Sequence, residues 1–502
     1  MRGCLNLEKQ IWEKMNYIEG TDRHQQNLLS SIDDWITEDN PVRVIDSVID
    51  SIVMNNKERF EKVRESDVGR PGYHDTTLLK LYCYGYFNSI SSSRRLEVEC
   101  YRNKELIWLI EGLAPDHWTI SNYRKENGEE IKFVTKKFRE FLRAKGYIRL
   151  QTVAIDGSKV KANTNREMLT IEKIESRLEG LDKKMESYLM KLSETDKIDE
   201  VKDELGIEES EESGKKYIEK IIELQKQVES LHEQKAILEK ENRKYISNAD
   251  REAPLMKSRD GKIPAYNVQI AVDSAHYMIA DDEVVLDQSD NKMAPYMIGS
   301  LKEEYGDVPD EALVDNGYNK LDLIEEIEKK EPGLKLYVPQ QKTKEEKGAI
   351  SFEYDADKDE YKCSEGKRLV LFQRNKIHRG SQSNVYRGIE CEGCPIRSQC
   401  TKAPKGRILH RYVNQTWRDE YKKKMSSKES TEKMKKRRSL VEHVFGTMKY
   451  WMGKIPLKLR GRDKVSTEIR LYATAYNLKR LINIDPVDEI LSKIMNYDWR
   501  TA

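Results

Sequence analysis

Three carboxylates sit in settings that suit work on phosphate: Asp156, Asp315 and Glu442. Glu442 lies in Arg437-Arg-Ser-Leu-Val-Glu-His-Val-Phe-Gly-Thr-Met-Lys-Tyr-Trp451. At about 100° per residue of helix, Arg438, Glu442, Phe445 and Lys449 share one face, and Leu440, Val441, Val444, Met448, Trp451 and Met452 gather on the opposite flank. An i,i+4 surface pair is the plain account of Arg438 and Glu442, at a few tenths of a kcal/mol. A basic run over 433–438 crowds the same turn, however, and a carboxylate among cations suits a metal ion with phosphates around it. Asp156 ends the β-prone run Leu150-Gln-Thr-Val-Ala-Ile-Asp156, next to Gly157, and Lys159 and Lys161 follow where they can meet phosphate. A turn-capping aspartate is the alternative there. Asp315 repeats the device in Ala312-Leu-Val-Asp315, followed by Asn316-Gly-Tyr318. Two divalent ions held by such acids can activate a water or a 3′ hydroxyl on one side of a phosphorus and stabilise the leaving oxygen on the other. That is phosphodiester chemistry.

Rival acids exist. Asp273 and the pair Asp281-Asp282 flank a short hairpin, and turn chemistry accounts for them. Cys363, Cys391, Cys394 and Cys400 are spaced C-x27-C-x2-C-x5-C, which suits a closed, structural tetrahedral zinc, with reduced structural cysteines as the alternative. Cys4, Cys83 and Cys100 are isolated, so the chain is no secreted disulfide scaffold. Charged residues are 35% of the 502, yet the net charge is +1. Any contact with nucleic acid must therefore rest on local basic patches. Lys402, Lys405, Arg407, His410, Arg411 and Lys422-Lys-Lys424 supply one such path, or else a solvated charged face. Neither a signal peptide nor a bilayer-spanning apolar run is evident, so an intracellular, membrane-free protein is expected.

These residues need elements to hold them. Residues 1–68 read as a polar helical segment. Residues 69–145 read as short helices, with Asp75 capping one and the last carrying Arg124 and Lys125; this is a helix-turn-helix-like DNA-binding domain or a plain helical bundle. Residues 146–165, 250–340 and 431–484 form a mixed α/β sheet core, with 485–502 as a tail. Two insertions divide the core. Over 166–249, Ile171, Ile174, Leu178, Leu181, Met185, Tyr188 and Leu192, then Tyr217, Ile221, Leu224, Val228, Leu231 and Leu238, predict an antiparallel coiled-coil hairpin around an acidic break. Residues 341–430 are the cysteine-rich insertion.

Several ordered motifs together resemble the DDE transposases of bacterial insertion sequences: Asp156-Gly-Ser-Lys-Val-Lys-Ala-Asn163, Tyr266-Asn-Val-Gln-Ile-Ala-Val-Asp273, Asp315-Asn-Gly-Tyr318, Cys391-Glu-Gly-Cys-Pro-Ile-Arg-Ser-Gln-Cys-Thr401 and 438–449. The likeness spans about 69–484. It implies a ribonuclease H-like core in which Asp156, Asp315 and Glu442 bind two Mg2+ (or Mn2+) ions and Arg438 and Lys449 grip a DNA end. The spacing of Arg438, Glu442 and Lys449 is similar to the Tyr-Arg-Glu-Lys signature of related transposases, but Lys435 stands where its tyrosine is expected. The resemblance further implies double-stranded DNA as partner, a homodimer in a synaptic complex, and a cytoplasmic, nucleoid-associated bacterial location. A catalytically dead DNA-binding regulator and a host nuclease of the same fold are the alternatives.

Overall fold

Buried apolar side chains from both ends of the chain meet in one core, which runs from Ile32 to Trp499. The structure, a computed structural model, describes residues 21–22, 31–60, 72–165, 167–205, 212–258, 261–339, 350–378, 380–450 and 455–500. Cys4, residues 69–71 of the N-terminal turn, part of the acidic break at 206–211, Trp451 and Met452 lie outside the described residues.

The N-terminal helices are α1 (Val42–Asn55), α2 (Asp75–Phe87), α3 (Ser93–Arg102), α4 (Lys104–Leu109), α5 (His117–Glu126) and α6 (Gly128–Ala144). Helix α1 buries Val44, Ile45, Val48, Ile49, Ile52 and Val53, the single stripe its spacing demands. Helix α2 is capped by the His74 ring, which accepts from Thr76 N, while Asp75 lies in the first turn. The cap therefore sits one residue earlier than its sequence suggests.

The central sheet has six strands. Strand β1 (Thr152–Lys161) pairs antiparallel with β5 (Gly261–Asp273), and β5 pairs antiparallel with β4 (Leu255–Ser258) and β6 (Ile279–Val285). On its other side β1 pairs in parallel with β7 (Glu311–Leu313), which pairs in parallel with β8 (Lys335–Tyr337). A short ribbon of β2 (Met168–Leu169) and β3 (Ile246–Ser247) stands at the root of the first insertion. Asp156 does not end its strand. It sits in the middle of β1 opposite Ile270, because Ser158 to Lys161 go on pairing with β5. Asp281 and Asp282 belong to β6 and are buried, not in a turn; the Arg139 guanidinium of α6 supplies the counter-charge that lets them stay there. Asp273 does serve a turn, accepting from the backbone N–H groups of Arg149, Leu150 and Ala275.

The first insertion is a pair of long helices, α7 (Ile171–Leu205) and α8 (Glu212–Lys240). Ile174, Leu231 and Leu238 are buried between them and the ribbon, and contacts between Lys235 and Glu175 and between Tyr188 and Tyr217 show the two helices running antiparallel. In the chain β7 is preceded by α9 (Met293–Tyr305) and followed by α10 (Leu321–Lys330). The cysteine-rich segment builds a second, antiparallel sheet in the order β13-β12-β11-β10-β9, from β9 (Phe352–Asp355), β10 (Glu360–Cys363), β11 (Arg368–His378), β12 (Ser381–Gly388) and β13 (Ile408–Tyr412). Helices α11 (Gln415–Met425) and α12 (Lys428–Tyr450) return the chain to the first sheet. Helix α13 (Arg462–Ile484) then packs on α2, α6 and β6.

This shared packing joins the N-terminal helices to the sheet instead of leaving them as a separate lobe. Residues 485–502, read as a tail, contain α14 (Val487–Met495), which packs on α1 and buries Ile490 and Ile494; Trp499, beyond the helix, is buried too. Among the described residues, no helix is long and apolar enough to cross a membrane.

Candidate active site

Helix α12 crosses β1 and presents Leu440, Val441, Val444 and Met448 to the core, the flank that the spacing predicts. That orientation aims Arg437, not Arg438, at the sheet. The Arg437 guanidinium stands 2.9 Å from Asp156 Oδ1, with the two side chains 14% and 23% exposed. Burial pushes the Asp156 carboxyl up to about 6; Arg437 opposes this, while Asp315 and Asp290 add to it. Asp156 is thus a half-shielded acid among acids, and a cation nearby favours its charged form.

Asp315 follows β7 and caps the turn Asn316–Tyr318, accepting from Gly317 N at 2.6 Å. Its turn is fixed from below, where the buried Tyr318 hydroxyl donates to Gln269 Oε1 on β5. Lys449, three turns along α12 from Arg437, reaches Ser158 Oγ at 2.7 Å, and Lys159 pairs with Asp290 at 3.0 Å. Lys161 is exposed at the end of β1. Glu442 stays apart on the exposed side of α12, bonded to Arg438 at 3.0 Å with the pair 67% and 77% exposed. The structure therefore gathers Asp156 and Asp315, with Arg437 and Asp290 added, and leaves Glu442 on the rim.

Two of the basic residues proposed for DNA part company. Lys125 is exposed. Arg124, one position earlier, is 3% exposed and cannot meet DNA. It lies 3.2 Å from the buried Glu468 of α13 and donates to Tyr86 OH and to Ser91 O. A residue on a short amphipathic helix faces either solvent or core, and the buried carboxylate on a distant helix decides for Arg124.

In donor type, Asp156 and Asp315 fit a hard divalent cation: oxygen ligands, like charges crowded together, and a raised carboxyl that such an ion would relieve. Glu442 does not complete the set as placed, and among the described residues no three His, Cys, Asp or Glu side chains converge to hold a metal ion. The same holds for the cysteines. Cys363, Cys391, Cys394 and Cys400 line one cavity of about 20 Å3 with Phe352, Leu369 and Arg407. Burial raises the Cys400 thiol, Arg407 opposes, and the other three cysteines add to the rise. The thiols are neighbours of the right chemistry for zinc, but not a formed ion cage.

Arg437 and Asp290 were missed in the sequence. Arg437 had a signal, since it is in line with Val441, Val444 and Met448 on the inward flank; Asp290 had none.

Residues 362–482 match the family described as "Transposase DDE domain", and residues 30–126 match the "Transposase domain (DUF772)". The first match includes the cysteines, Arg437, Glu442 and Lys449 but begins beyond Asp156 and Asp315. No curated protein matches the chain. Among solved structures, a cryo-EM structure of piggyBac transposase synaptic complex with hairpin DNA aligns over 95% of this chain and 81% of that one, at 9% identity and a TM-score of 0.31. At that level of superposition it carries no argument.

Proposed function

We propose that the protein is a DNA transposase of a bacterial insertion sequence, which binds the inverted-repeat ends of its element, cleaves them and transfers the 3′ ends to target DNA. The observation that carries this reading is the pairing of a raised, half-buried Asp156 on β1 with Asp315 just after the neighbouring strand β7, beneath a helix that brings Arg437 and Lys449. The two transposase-domain matches lie on either side of that pair in sequence. The run β6-β5-β1-β7-β8, three antiparallel strands and then two parallel ones, with β4 added beside β5, supports a ribonuclease H-like core.

In this reading Asp156 and Asp315 are metal ligands and Glu442 is the third, drawn in from the rim. Arg437 balances the Asp156 charge. Lys159 and Lys161 of β1 and Lys449 of α12 offer point charges to phosphate, and Arg438 and Lys125 extend the positive surface. Bound Mg2+ or Mn2+ would supply an activated water or 3′ hydroxyl and a charge sink for the leaving oxygen. Double-stranded DNA is the partner, and a homodimer holding both ends is the working assembly inside the cell.

Replacing Asp156 or Asp315 by Asn, or Glu442 by Gln, should abolish Mg2+-dependent strand cleavage while binding to element ends persists. Cleavage retained in any of the three removes that residue from the assignment. The position of Glu442 favours one second reading, a DNA-binding regulator without catalysis. A nicking assay on element ends separates the two, since only the transposase nicks. Metal analysis of the purified chain decides the cysteine cavity: about one zinc per chain if the four thiols close on an ion, none if they are reduced structural cysteines.

A further inference from the structure

Asp290 lies in the connection between β6 and α9, where Met293 N bonds to its carbonyl at 2.9 Å. Its carboxylate is held by more donors than any surface aspartate needs. Oδ1 accepts from Asn267 Nδ2 at 2.7 Å, from Gln269 Nε2 at 2.8 Å and from Lys159 Nζ at 3.0 Å. Asn267 and Gln269 are two apart on β5, so both point to one face of the sheet; both are fully buried.

The orientation of these amides is forced by their neighbours. A carboxylate can only accept, so each amide must turn its NH2 toward Asp290. That leaves Gln269 Oε1 to accept from Tyr318 OH and Asn267 Oδ1 to accept from Gln269 Nε2 at 2.9 Å, while Asn267 also donates to Asp287 O at 3.1 Å. The hydrogen bonds thus run without a break from Asp290 through Gln269 to Tyr318, in the turn that Asp315 caps.

The network also passes beneath the residue that follows Asp156. Gly157, its neighbour, lies opposite Gln269 in the register. A Cβ at 157 would stand 2.2 Å from Gln269 Nε2 and 2.9 Å from Asp290 Oδ1, so only glycine lets the network pass beneath the backbone there. The half-buried Asp290 thus holds a network that ends in the Asp315 turn and passes beneath the residue next to Asp156.

We propose that Asp290 is a positioning residue for this site: by anchoring Gln269 and Lys159 it sets the spacing of Asp156 and Asp315, and so their affinity for a divalent cation. The inference rests on the transposase reading of the two acids. Without the Asp290 charge, the acceptor that orients the Gln269 amide is weakened, the Tyr318 link slackens, and Lys159 loses its ion-pair partner. Nothing in this chain of contacts requires Asp290 to touch substrate.

Mn2+ binding to the full-length protein, read by electron paramagnetic resonance without DNA, tests this. Asp290→Asn should weaken Mn2+ about tenfold, equivalent to about 1.4 kcal/mol, at an unchanged melting temperature, and Asp290→Glu should recover much of the loss. Should Asp290→Asn fold poorly, Tyr318→Phe removes only the link to the Asp315 turn and should weaken Mn2+ in the same direction. Wild-type affinity in both Asp290→Asn and Tyr318→Phe, with Mn2+ lost in Asp156→Asn, overturns the positioning role and leaves the transposase reading standing. Wild-type affinity in Asp156→Asn overturns both.

Discussion

Two guanidinium–carboxylate contacts on the same sheet have opposite characters. Arg139 of α6 is sealed against Asp281 and Asp282 of β6, with all three 4% exposed or less, and Glu304 of α9 lies 3.9 Å away. Arg437 of α12 meets Asp156 of β1 where both stay partly exposed, with a second carboxylate and two lysines near by. Burial raises carboxyls in both places: Asp281 is raised, Glu304 is pushed up to about 7 and Asp156 to about 6. A displaced carboxyl therefore does not by itself mark a reactive centre. Greater exposure and a partly satisfied charge distinguish the second cluster; the first one staples a helix to the sheet.

Replacing Arg139 by Met should break the staple. It leaves two buried carboxylates without a counter-charge and should cost about 3–5 kcal/mol in chemical denaturation. The same substitution at Arg437 should cost no more than about 1 kcal/mol, because Asp156 keeps contact with water. Equal losses at the two positions would erase the contrast.

A smaller effect should appear in the pH dependence of stability. The folded Asp156 carboxyl, at about 6, lies above the ordinary carboxylate range, so the native state holds this proton more tightly than the unfolded chain. Stability consequently falls as pH rises through the window from about 4 to about 6. Asp156→Asn should remove that slope and, at pH 7, make the protein more stable than wild type by on the order of 1–2 kcal/mol. Denaturation midpoints of the two proteins measured from pH 4 to 7 check this; parallel curves would place Asp156 in an ordinary solvated setting.

The least effect is expected at the rim. Arg438→Ala removes an exposed i,i+4 partner of Glu442 and should change stability by only about 0.3 kcal/mol. A loss above about 1 kcal/mol would mean that this pair is structural, and would weaken the assignment of Glu442 to chemistry.

Local pattern made much of the architecture legible. The inward flank of α12, the long-helix insertion and the strand-then-turn setting of Asp315 each depend on residues near in sequence, through helical or strand periodicity and turn chemistry. The five-stranded sheet over 352–412 was not read, because its strands carry many exposed and charged residues and draw their order from pairing with one another. Arg124 was misread for a related cause: its basic helix looks like a groove-binding face until Glu468, more than three hundred residues away in the chain, buries it.

By itself, then, the sequence determined which residue types are available: the acids Asp156 and Asp315, the cations of α12, the cysteines, and the elements that carry them. Only the tertiary structure decided who meets whom. It put Arg437 and not Arg438 on Asp156, carried β1 past Asp156, brought Asp290 beneath Gly157, and left Glu442 outside. The physical reason is that periodicity fixes the face a side chain takes on its own element, whereas the partner on that face comes from distant segments whose packing no local pattern encodes.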